Sequence, residues 1–242
     1  MFNFFKNLMK NKGQRLTDNH NSVHRILKTD IKSDPNPQED EIIFGCGCFW
    51  GAEKCFWKLP GVVTTSVGYA GGEKSNPTYY EVCSGITGHA EVVKIVWDVN
   101  KIDISDLLKM FWECHNPTQK NRQGNDVGSQ YRSAIFYTND SNKEIINLSR
   151  EAYQKVLNAN NFGLIETEIK MINSYYYAEE YHQQYLAVEG SRQYCSASPT
   201  KVKLGNFKGS NYKLPDDIWD NFNWNIDKCV LRSNNKPIEI NN

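Results

Sequence analysis

The order of apolar and polar positions predicts strands that alternate with helices from residue 41 onward. Short apolar runs are typical of buried strands, whereas apolar residues on one stripe at helical spacing indicate an amphipathic helix. The predicted strands are 42–44, 62–69, 89–97, 131–137 and 166–171. The predicted helices are 49–59, 105–114, 141–158 and 178–188. This alternation predicts a two-layer α/β domain with extended termini.

Changes in composition divide the chain into three parts. Residues 1–40 are rich in Asn, Lys and Asp and end in a turn-forming Asp-Pro-Asn-Pro sequence, which predicts a flexible N-terminal extension. Residues 41–195 carry the strand and helix patterns and are predicted to form the catalytic domain. Residues 196–242 are rich in Lys, Asn and Pro and are predicted to be a C-terminal tail.

The charge and the cysteine content indicate which binding partners and which cellular compartment to expect. The formal net charge of +0 argues against a nucleic-acid partner, because phosphate binding needs a concentrated basic surface. The sequence lacks the ~20 consecutive apolar residues that a membrane span requires. Seven cysteines and no secretory segment favour a reducing compartment, so we predict a cytoplasmic protein. The basic residues among 1–15 leave a mitochondrial location open.

Cys48 lies where a predicted strand ends and a predicted helix begins. Unsatisfied N–H groups at a helix N-terminus favour a thiolate, which would lower the pKa of Cys48 below its usual ~8.5. Phe49 and Trp50 would then form the walls of a pocket; alternatively, all three residues are ordinary core. Cys55 lies ~10 Å further along the helix, beyond the ~7 Å Cα separation that a direct disulfide with Cys48 allows.

The segment GCFWG at 47–51 resembles the active-site signature of the A-type peptide methionine sulfoxide reductases. Four further segments resemble this family in the same order: GYAGG (68–72), NPTYYEVCSGITGHAEVV (76–93), RQGNDVGSQYRSAIFY (122–137) and YYYAEEYHQQYL (175–186). The resemblance covers residues 42–195. It implies a ferredoxin-like two-layer sandwich and thiol-dependent reduction of the S epimer of methionine sulfoxide in peptides, with free methionine sulfoxide left open.

The resemblance also implies the roles of individual residues in the reaction. Cys48 is the implied nucleophile, and Glu91 is the implied acid that protonates the departing oxygen. On pattern alone Glu91 is either an exposed strand-end carboxylate or, because it shares a face with apolar strand residues, a buried carboxyl with a raised pKa. The implied partners of the substrate are Phe49 and Trp50 around its methyl group, Tyr79 and Tyr131 at its oxygen, Asp126 through water, and Tyr194.

Recycling requires a second thiol, because attack on a sulfoxide leaves Cys48 as a sulfenic acid. Tyr194-Cys195 matches the family's Tyr-Cys pair, so the resemblance implies that Cys195 resolves the sulfenic acid and that thioredoxin reduces the disulfide. The glycine-rich stretch and the nearby second cysteine of many family members do not follow. Cys229, further along the tail, is therefore either a relay thiol or an idle one.

No cofactor and no metal are expected from the sequence. Two cysteines and three histidines could suggest a metal site, but they lack the close spacing typical of zinc ligands: Cys48, Cys83, His89, His115 and His182. A general thiol–disulfide oxidoreductase is an alternative, but the sequence contains no C-x-x-C motif. A silent module that binds oxidised methionine is a second rival, and it leaves the implied acid and nucleophile unexplained.

Overall fold

A mixed sheet of six strands forms the centre of the protein, in the order β7-β6-β1-β3-β2-β8. The computed structural model describes residues 22–226 and 228–240. The strands are β1 (Glu39–Cys46), β2 (Val62–Ala70), β3 (Ala90–Asp98), β4 (Arg122–Gln123), β5 (Asp126–Val127), β6 (Ser133–Tyr137), β7 (Glu168–Met171) and β8 (Tyr175–Tyr177). The helices are α1 (Phe49–Trp57), α2 (Tyr79–Cys83), α3 (Ile104–Cys114), α4 (Lys143–Ala159), α5 (Asp216–Trp219) and α6 (Cys229–Arg232). None of the helices in the described ranges is long and apolar enough to cross a membrane.

Strand β3 lies in the middle of the sheet and is buried along almost its whole length. It pairs antiparallel with β1 and with β2, which places Glu91 opposite Tyr69. Strand β6 pairs antiparallel with β1 and parallel with β7. The predicted alternation of strands and helices is therefore confirmed, and the protein has a mixed α/β fold around a curled six-stranded sheet.

The main core lies between the sheet and helices α1 and α3. Phe44 of β1 packs against Phe56 of α1, with ring centroids 5.3 Å apart, and against Phe111 of α3 at 4.7 Å. Neighbouring Ile43 points to the opposite face, into a smaller apolar cluster with Phe136. Because successive strand residues face opposite sides, this alternation fixes which side of β1 the helices cover.

The predicted last helix at 178–188 is wrong, because the chain there forms two 3₁₀ turns, Glu180–His182 and Tyr185–Ala187. Between the turns, Gln184 adopts a left-handed conformation with φ 47°. Gln183 hydrogen-bonds the backbone of Val67 through its side-chain oxygen and nitrogen. The backbone N–H of Gln184 donates to buried Glu53. These tertiary hydrogen bonds outweigh the helical preference of the segment.

Part of the predicted flexible extension packs on the domain. His24 is fully buried, and its Nε2 lies 2.9 Å from the hydroxyl of Thr65, which itself donates to Glu53. Ile31 is 2% exposed, and β1 begins at Glu39. The prediction therefore needs correction for residues 24–40, while residues 1–21, including the basic segment, lie outside the described residues.

The C-terminal tail also covers the domain. Its large apolar side chains are buried in the main core: Leu204, Leu214, Ile218, Trp219, Phe222 and Trp224. Helix α1 holds the last part of the tail through polar contacts, because Lys54 Nζ donates to the carbonyl oxygen of Ser233 at 2.8 Å and Trp57 Nε1 to that of Asn235 at 3.1 Å. The tail is thus a packed element of the fold.

Replacing His24 by alanine is expected to lower the free energy of unfolding by about 1–3 kcal/mol. The change leaves Thr65 without its ring partner and removes the Nδ1 acceptor of the backbone N–H groups of Ile26 and Leu27. Urea unfolding measures the loss. Asp34→Ala, on an exposed position of the same segment, is the control and should differ little from wild type. An unchanged stability of His24→Ala would mean that the segment contributes nothing to the fold.

Candidate functional site

Cys48 occupies the turn between β1 and α1, as the sequence predicts. Gly47 makes this turn with φ 89°, a conformation that favours glycine. A Cβ on Gly47 would also lie 2.5 Å from the Cβ of Gln123, so the turn requires glycine for space as well. Cys48 itself is the N-cap residue of α1 and is 8% exposed. The thiol therefore sits at a fixed point between the sheet and the helix start.

The environment of Cys48 raises the pKa of its thiol, contrary to the sequence prediction. Burial is the largest cause, followed by the charges of Glu91 and Cys195. The backbone N–H of Trp50 acts in the opposite direction, as expected of a helix N-terminus, but it is outweighed. The prediction was wrong because burial of the thiol outweighs the helix N-terminus, and the local sequence does not show how deeply Cys48 is buried.

Glu91 carries a buried carboxyl group and is 2% exposed in the middle of β3. Its Oε2 accepts a hydrogen bond from the backbone N–H of Phe49 at 3.1 Å, which places the carboxyl next to the residue that follows Cys48. Burial raises the pKa of Glu91 to about 8, and the charge of Asp126 contributes. Glu91 is therefore mostly protonated at neutral pH, when it can donate a proton.

Aromatic rings form one wall of the site. Trp50 stacks on Tyr185 with centroids 3.9 Å apart, and its Nε1 donates to Nδ1 of His182 at 3.1 Å. The His182 ring lies 5.1 Å from the Phe49 ring and 4.6 Å from the Tyr79 ring. Burial lowers the pKa of His182 to about 3, so the ring is neutral. On the sequence, His182 was a candidate only for a metal site, and nothing in the local pattern indicated its place at the centre of this wall.

Glu179 is a second residue that the sequence analysis missed. One of its carboxylate oxygens accepts the backbone N–H of Tyr79 at 3.0 Å, and the other accepts the hydroxyl of Tyr69 at 2.8 Å. The carboxylate therefore fixes the start of α2, which carries Tyr79, against β2. The signal available in the sequence was the segment 175–186, where Glu179 lies three residues before His182.

Tyr131, Asp126 and Tyr194 add polar groups to the site. The hydroxyl of Tyr194 donates to Oδ1 of Asp126 at 2.6 Å. The pKa of Tyr131 is raised by burial and, in part, by the charges of Glu91 and Asp126. Tyr131 is therefore near both carboxyl groups. The structure thus brings together the predicted residues Cys48, Phe49, Trp50, Tyr79, Glu91, Asp126, Tyr131 and Tyr194.

Cys195 lies against the first turn of α1, on the helix that begins after Cys48. A Cβ on Gly51 would lie 2.5 Å from the sulfur of Cys195, so the absence of a side chain at Gly51 allows this approach. Cys195 is 5% exposed, and burial raises its pKa to about 12. Cys229 lines the same cavity as Cys195. All seven cysteines of the chain are free thiols.

Cys46, Cys114 and His115 are the group of described residues whose ligand atoms lie close enough to hold a metal, within 4.8 Å of one another. This set shares only His115 with the cysteines and histidines considered in the sequence. His115 Nδ1 lies 2.7 Å from the carbonyl oxygen of Phe111, and Nε2 lies 2.7 Å from the hydroxyl of Ser133. Because both ring nitrogens already have partners, the geometry fits a hydrogen-bonded core histidine better than a metal ligand.

Known proteins are similar to this chain in sequence and in fold. The family model described as "Peptide methionine sulfoxide reductase" matches residues 40–213. The chain is 53% identical to peptide methionine sulfoxide reductase MsrA of Salinispora arenicola over 178 residues, which are 73% of this chain and 80% of the relative. It is 57% identical to that of Pseudomonas entomophila over 165 residues, which are 68% and 74%.

Solved structures also resemble this chain. Methionine sulfoxide reductase A of Corynebacterium diphtheriae matches with a TM-score of 0.66 and 41% identity, over 77% of this chain and 90% of that one. Mxr1 from Saccharomyces cerevisiae in reduced form matches with a TM-score of 0.60 and 33% identity, over 67% of this chain and 92% of that one.

Replacing Glu91 by glutamine is expected to speed alkylation of Cys48 by iodoacetamide above pH 8. Glutamine keeps the acceptor for the Phe49 N–H but removes the charge that raises the pKa of Cys48, so more thiolate forms. The difference should shrink below pH 8, where wild-type Glu91 is itself protonated. Peptide mass spectrometry measures the modified fraction of Cys48. Exposed Glu144→Gln serves as control, and equal rates for both variants at pH 9 would show that Glu91 does not act on the thiol.

Proposed function

The chain belongs to the peptide methionine sulfoxide reductase family, and from this premise we propose how its residues carry out the reaction. The protein is an oxidoreductase that uses a thiol to reduce methionine sulfoxide to methionine. The observation that carries the assignment of residues is the hydrogen bond between Glu91 and the Phe49 N–H, because it holds a buried carboxyl group next to the nucleophile.

The aromatic wall and the polar groups opposite it orient the sulfoxide. The methyl group of the substrate enters the slot beside Phe49 and Trp50, where an oxygen atom would lose its hydrogen bonds. The sulfoxide oxygen then faces Glu91 and the hydroxyls of Tyr79 and Tyr131. Exchange of methyl and oxygen would place a polar atom against the rings, so this arrangement selects one epimer at sulfur, the S epimer.

The chemical step transfers the sulfoxide oxygen to Cys48. The Cys48 sulfur attacks the substrate sulfur while Glu91 donates its proton to the oxygen, which removes the charge that would develop there. As this adduct collapses, the oxygen moves to the Cys48 sulfur, and the bond between the two sulfurs and the substrate S–O bond break. Methionine leaves with two more electrons, and Cys48 becomes a sulfenic acid. The raised pKa of Cys48 is compatible with this step, because a protonated Glu91 places no negative charge beside the thiol. The proton that Cys48 loses then replaces the one that Glu91 gave to the sulfoxide oxygen.

Cys195 then resolves the sulfenic acid. Its sulfur attacks the Cys48 sulfur, a disulfide forms, and the sulfenic oxygen leaves as water with the proton of Cys195. The position of Cys195 against Gly51 supports this role, since the thiol already lies beside the helix that Cys48 caps. Thioredoxin, a dithiol protein, reduces the disulfide and closes the cycle. The substrates are methionine sulfoxide residues of oxidised proteins, so the protein acts in repair.

The finer classification of the fold and the location are also proposals. The succession β1-α1-β2-β3-α3-β6, with β6 and β1 adjacent and β3 beside β2, supports a ferredoxin-like two-layer core. We assign residues 41–195 as the catalytic domain and 196–242 as the recycling segment, with residues 24–40 as part of the packed structure. The cytoplasmic location rests on the sequence, and the mitochondrial alternative rests on residues outside those described.

The proposed function is tested by single-turnover release of methionine from a peptide S-sulfoxide. Cys48→Ser should release none, because the nucleophile is lost. Glu91→Gln should be slower by about 10²–10⁴-fold, the usual contribution of general acid catalysis. The wild-type rate should fall as pH rises through about 8, where Glu91 loses its proton, and Glu91→Gln should lack that descending limb.

Two results would contradict this assignment. Retention of methionine release in Cys48→Ser would move the nucleophile elsewhere. A loss of less than tenfold in Glu91→Gln, or an unchanged descending limb, would mean that another group supplies the proton. Exposed Glu144→Gln is the control for both measurements.

Gly51→Ala should separate the chemical step from recycling. The new methyl group would lie 2.5 Å from the Cys195 sulfur, so Cys195 must move away from α1. We expect the first methionine to form at nearly the wild-type rate. The Cys48–Cys195 disulfide should form at least about tenfold more slowly, which corresponds to an increase of ~1.4 kcal/mol or more in the activation free energy. Quenched-flow sampling with mass spectrometry follows both. If Gly51→Ala slows the first methionine equally in a Cys195→Ala background, the glycine serves the substrate pocket instead.

A further inference from the structure

One narrow cavity beneath the site is lined by five cysteines: Cys46, Cys55, Cys114, Cys195 and Cys229. The proposed cycle uses Cys195 alone among them. Cys55 is buried in the middle of α1, and its neighbours Gly51, Ala52 and Val230 complete this part of the cavity. A thiol in such a place has no role in the chemistry at Cys48, from which it is separated by two turns of helix.

The spacing along α1 relates Cys48, Gly51 and Cys55 to one another. Positions three and then four residues apart follow one stripe of a helix, so the N-cap thiol, the glycine and the second thiol are aligned on the same face. The Cys195 sulfur packs against the glycine in the middle of this stripe. Cys48 and Cys55 are too far apart to bond directly. Cys195 packs against Gly51, which lies between them on the stripe, and it lines the same cavity as Cys55.

Cys229 approaches the same thiol from the tail. It is the first residue of α6, which packs against α1, and it is half-buried while Cys55 is fully buried. The hydrogen bonds from Lys54 to Ser233 and from Trp57 to Asn235 hold the following residues on α1. Burial raises the pKa of Cys229 to about 12, and the charge of Cys55 contributes. Both residues line the same cavity, which is the geometric link between them.

We propose that Cys55 is a further redox-active residue that takes over the disulfide from Cys48–Cys195 and passes it to Cys229. The proposal rests on the proposed function, which supplies the first disulfide. In the first exchange, the Cys55 sulfur attacks the Cys195 sulfur, the Cys55–Cys195 bond forms, and Cys48 leaves with the proton of Cys55. In the second, the Cys229 sulfur attacks the Cys55 sulfur, and Cys195 leaves with the proton of Cys229.

These exchanges conserve the oxidation state of the protein and move the disulfide away from the substrate site. Cys48 and Cys195 regain their thiols, and the Cys55–Cys229 disulfide carries the oxidation. A dithiol reductant then attacks at half-buried Cys229, supplies two electrons and two protons, and becomes a disulfide itself. A hydrogen bond with Cys114 and, after it, burial raise the pKa of Cys55. Cys55 is therefore a poor nucleophile towards solutes and reacts when Cys195 presents a bonded sulfur beside it.

The relay predicts that each reduced protein molecule makes two methionines without any reductant. The first oxidation ends as Cys55–Cys229, and the freed Cys48 then reduces a second sulfoxide and ends as Cys48–Cys195. The test incubates fully reduced full-length protein with excess peptide methionine sulfoxide under argon. Amino-acid analysis gives the methionine released per molecule, and peptide mapping by mass spectrometry identifies the disulfides.

Wild type is expected to release two equivalents and to contain both disulfides, whereas Cys55→Ser and Cys55→Ala are expected to release one. Cys46→Ala removes a thiol from the same cavity and is the matched control, with two equivalents expected. Two equivalents from both Cys55 variants would overturn the relay, because Cys195 would then exchange with Cys229 directly. One equivalent from wild type, or no Cys55 disulfide in its map, would overturn the relay and leave the proposed function standing. No methionine from wild type would overturn the proposed function itself.

Discussion

The burial of two ionisable groups side by side, the Cys48 thiol and the Glu91 carboxyl, is the constraint on which the rest of the structure depends. Either charge is costly in this environment, and each disfavours the other. A proton on Glu91 relieves both costs, so the resting site at neutral pH holds the acid that the proposed oxygen transfer requires. A solvent-filled site would leave the carboxyl ionised and unable to serve as an acid.

Helix α1 connects this site with the rest of the fold. Its N-terminus carries Cys48 and Phe49, and its middle carries Gly51, against which Cys195 packs. Glu53, on another face, holds the segment that supplies the aromatic wall through the backbone N–H of Gln184. Because the proposed nucleophile, the aromatic wall and the proposed recycling thiol all depend on this one helix, a small shift of α1 relative to the sheet would disturb them together.

The two terminal segments act on the same helix from outside. His24 reaches Glu53 through the hydroxyl of Thr65, and the tail is held by Lys54 and Trp57. Burial lowers the pKa of Lys54 to about 8, and the carbonyl oxygen of Ser233 compensates part of the lost hydration. The terminal segments therefore help to keep water away from the core beneath the site, where the cysteine-lined cavity lies.

The sequence by itself determined the alternation of strands and helices and the turn that presents Cys48, because apolar periodicity and glycine placement are local properties. The ordered motif segments also indicated the family and the residues of the site. Only the tertiary structure decided the direction of the pKa shift of Cys48, the two 3₁₀ turns around Gln184 and the packing of residues 24–40. It also placed Cys55 beside Cys195 and Cys229. Each of these depends on groups more than 40 residues apart in the chain, and local pattern carries no information about which distant carboxyl, amide or thiol will share a buried space.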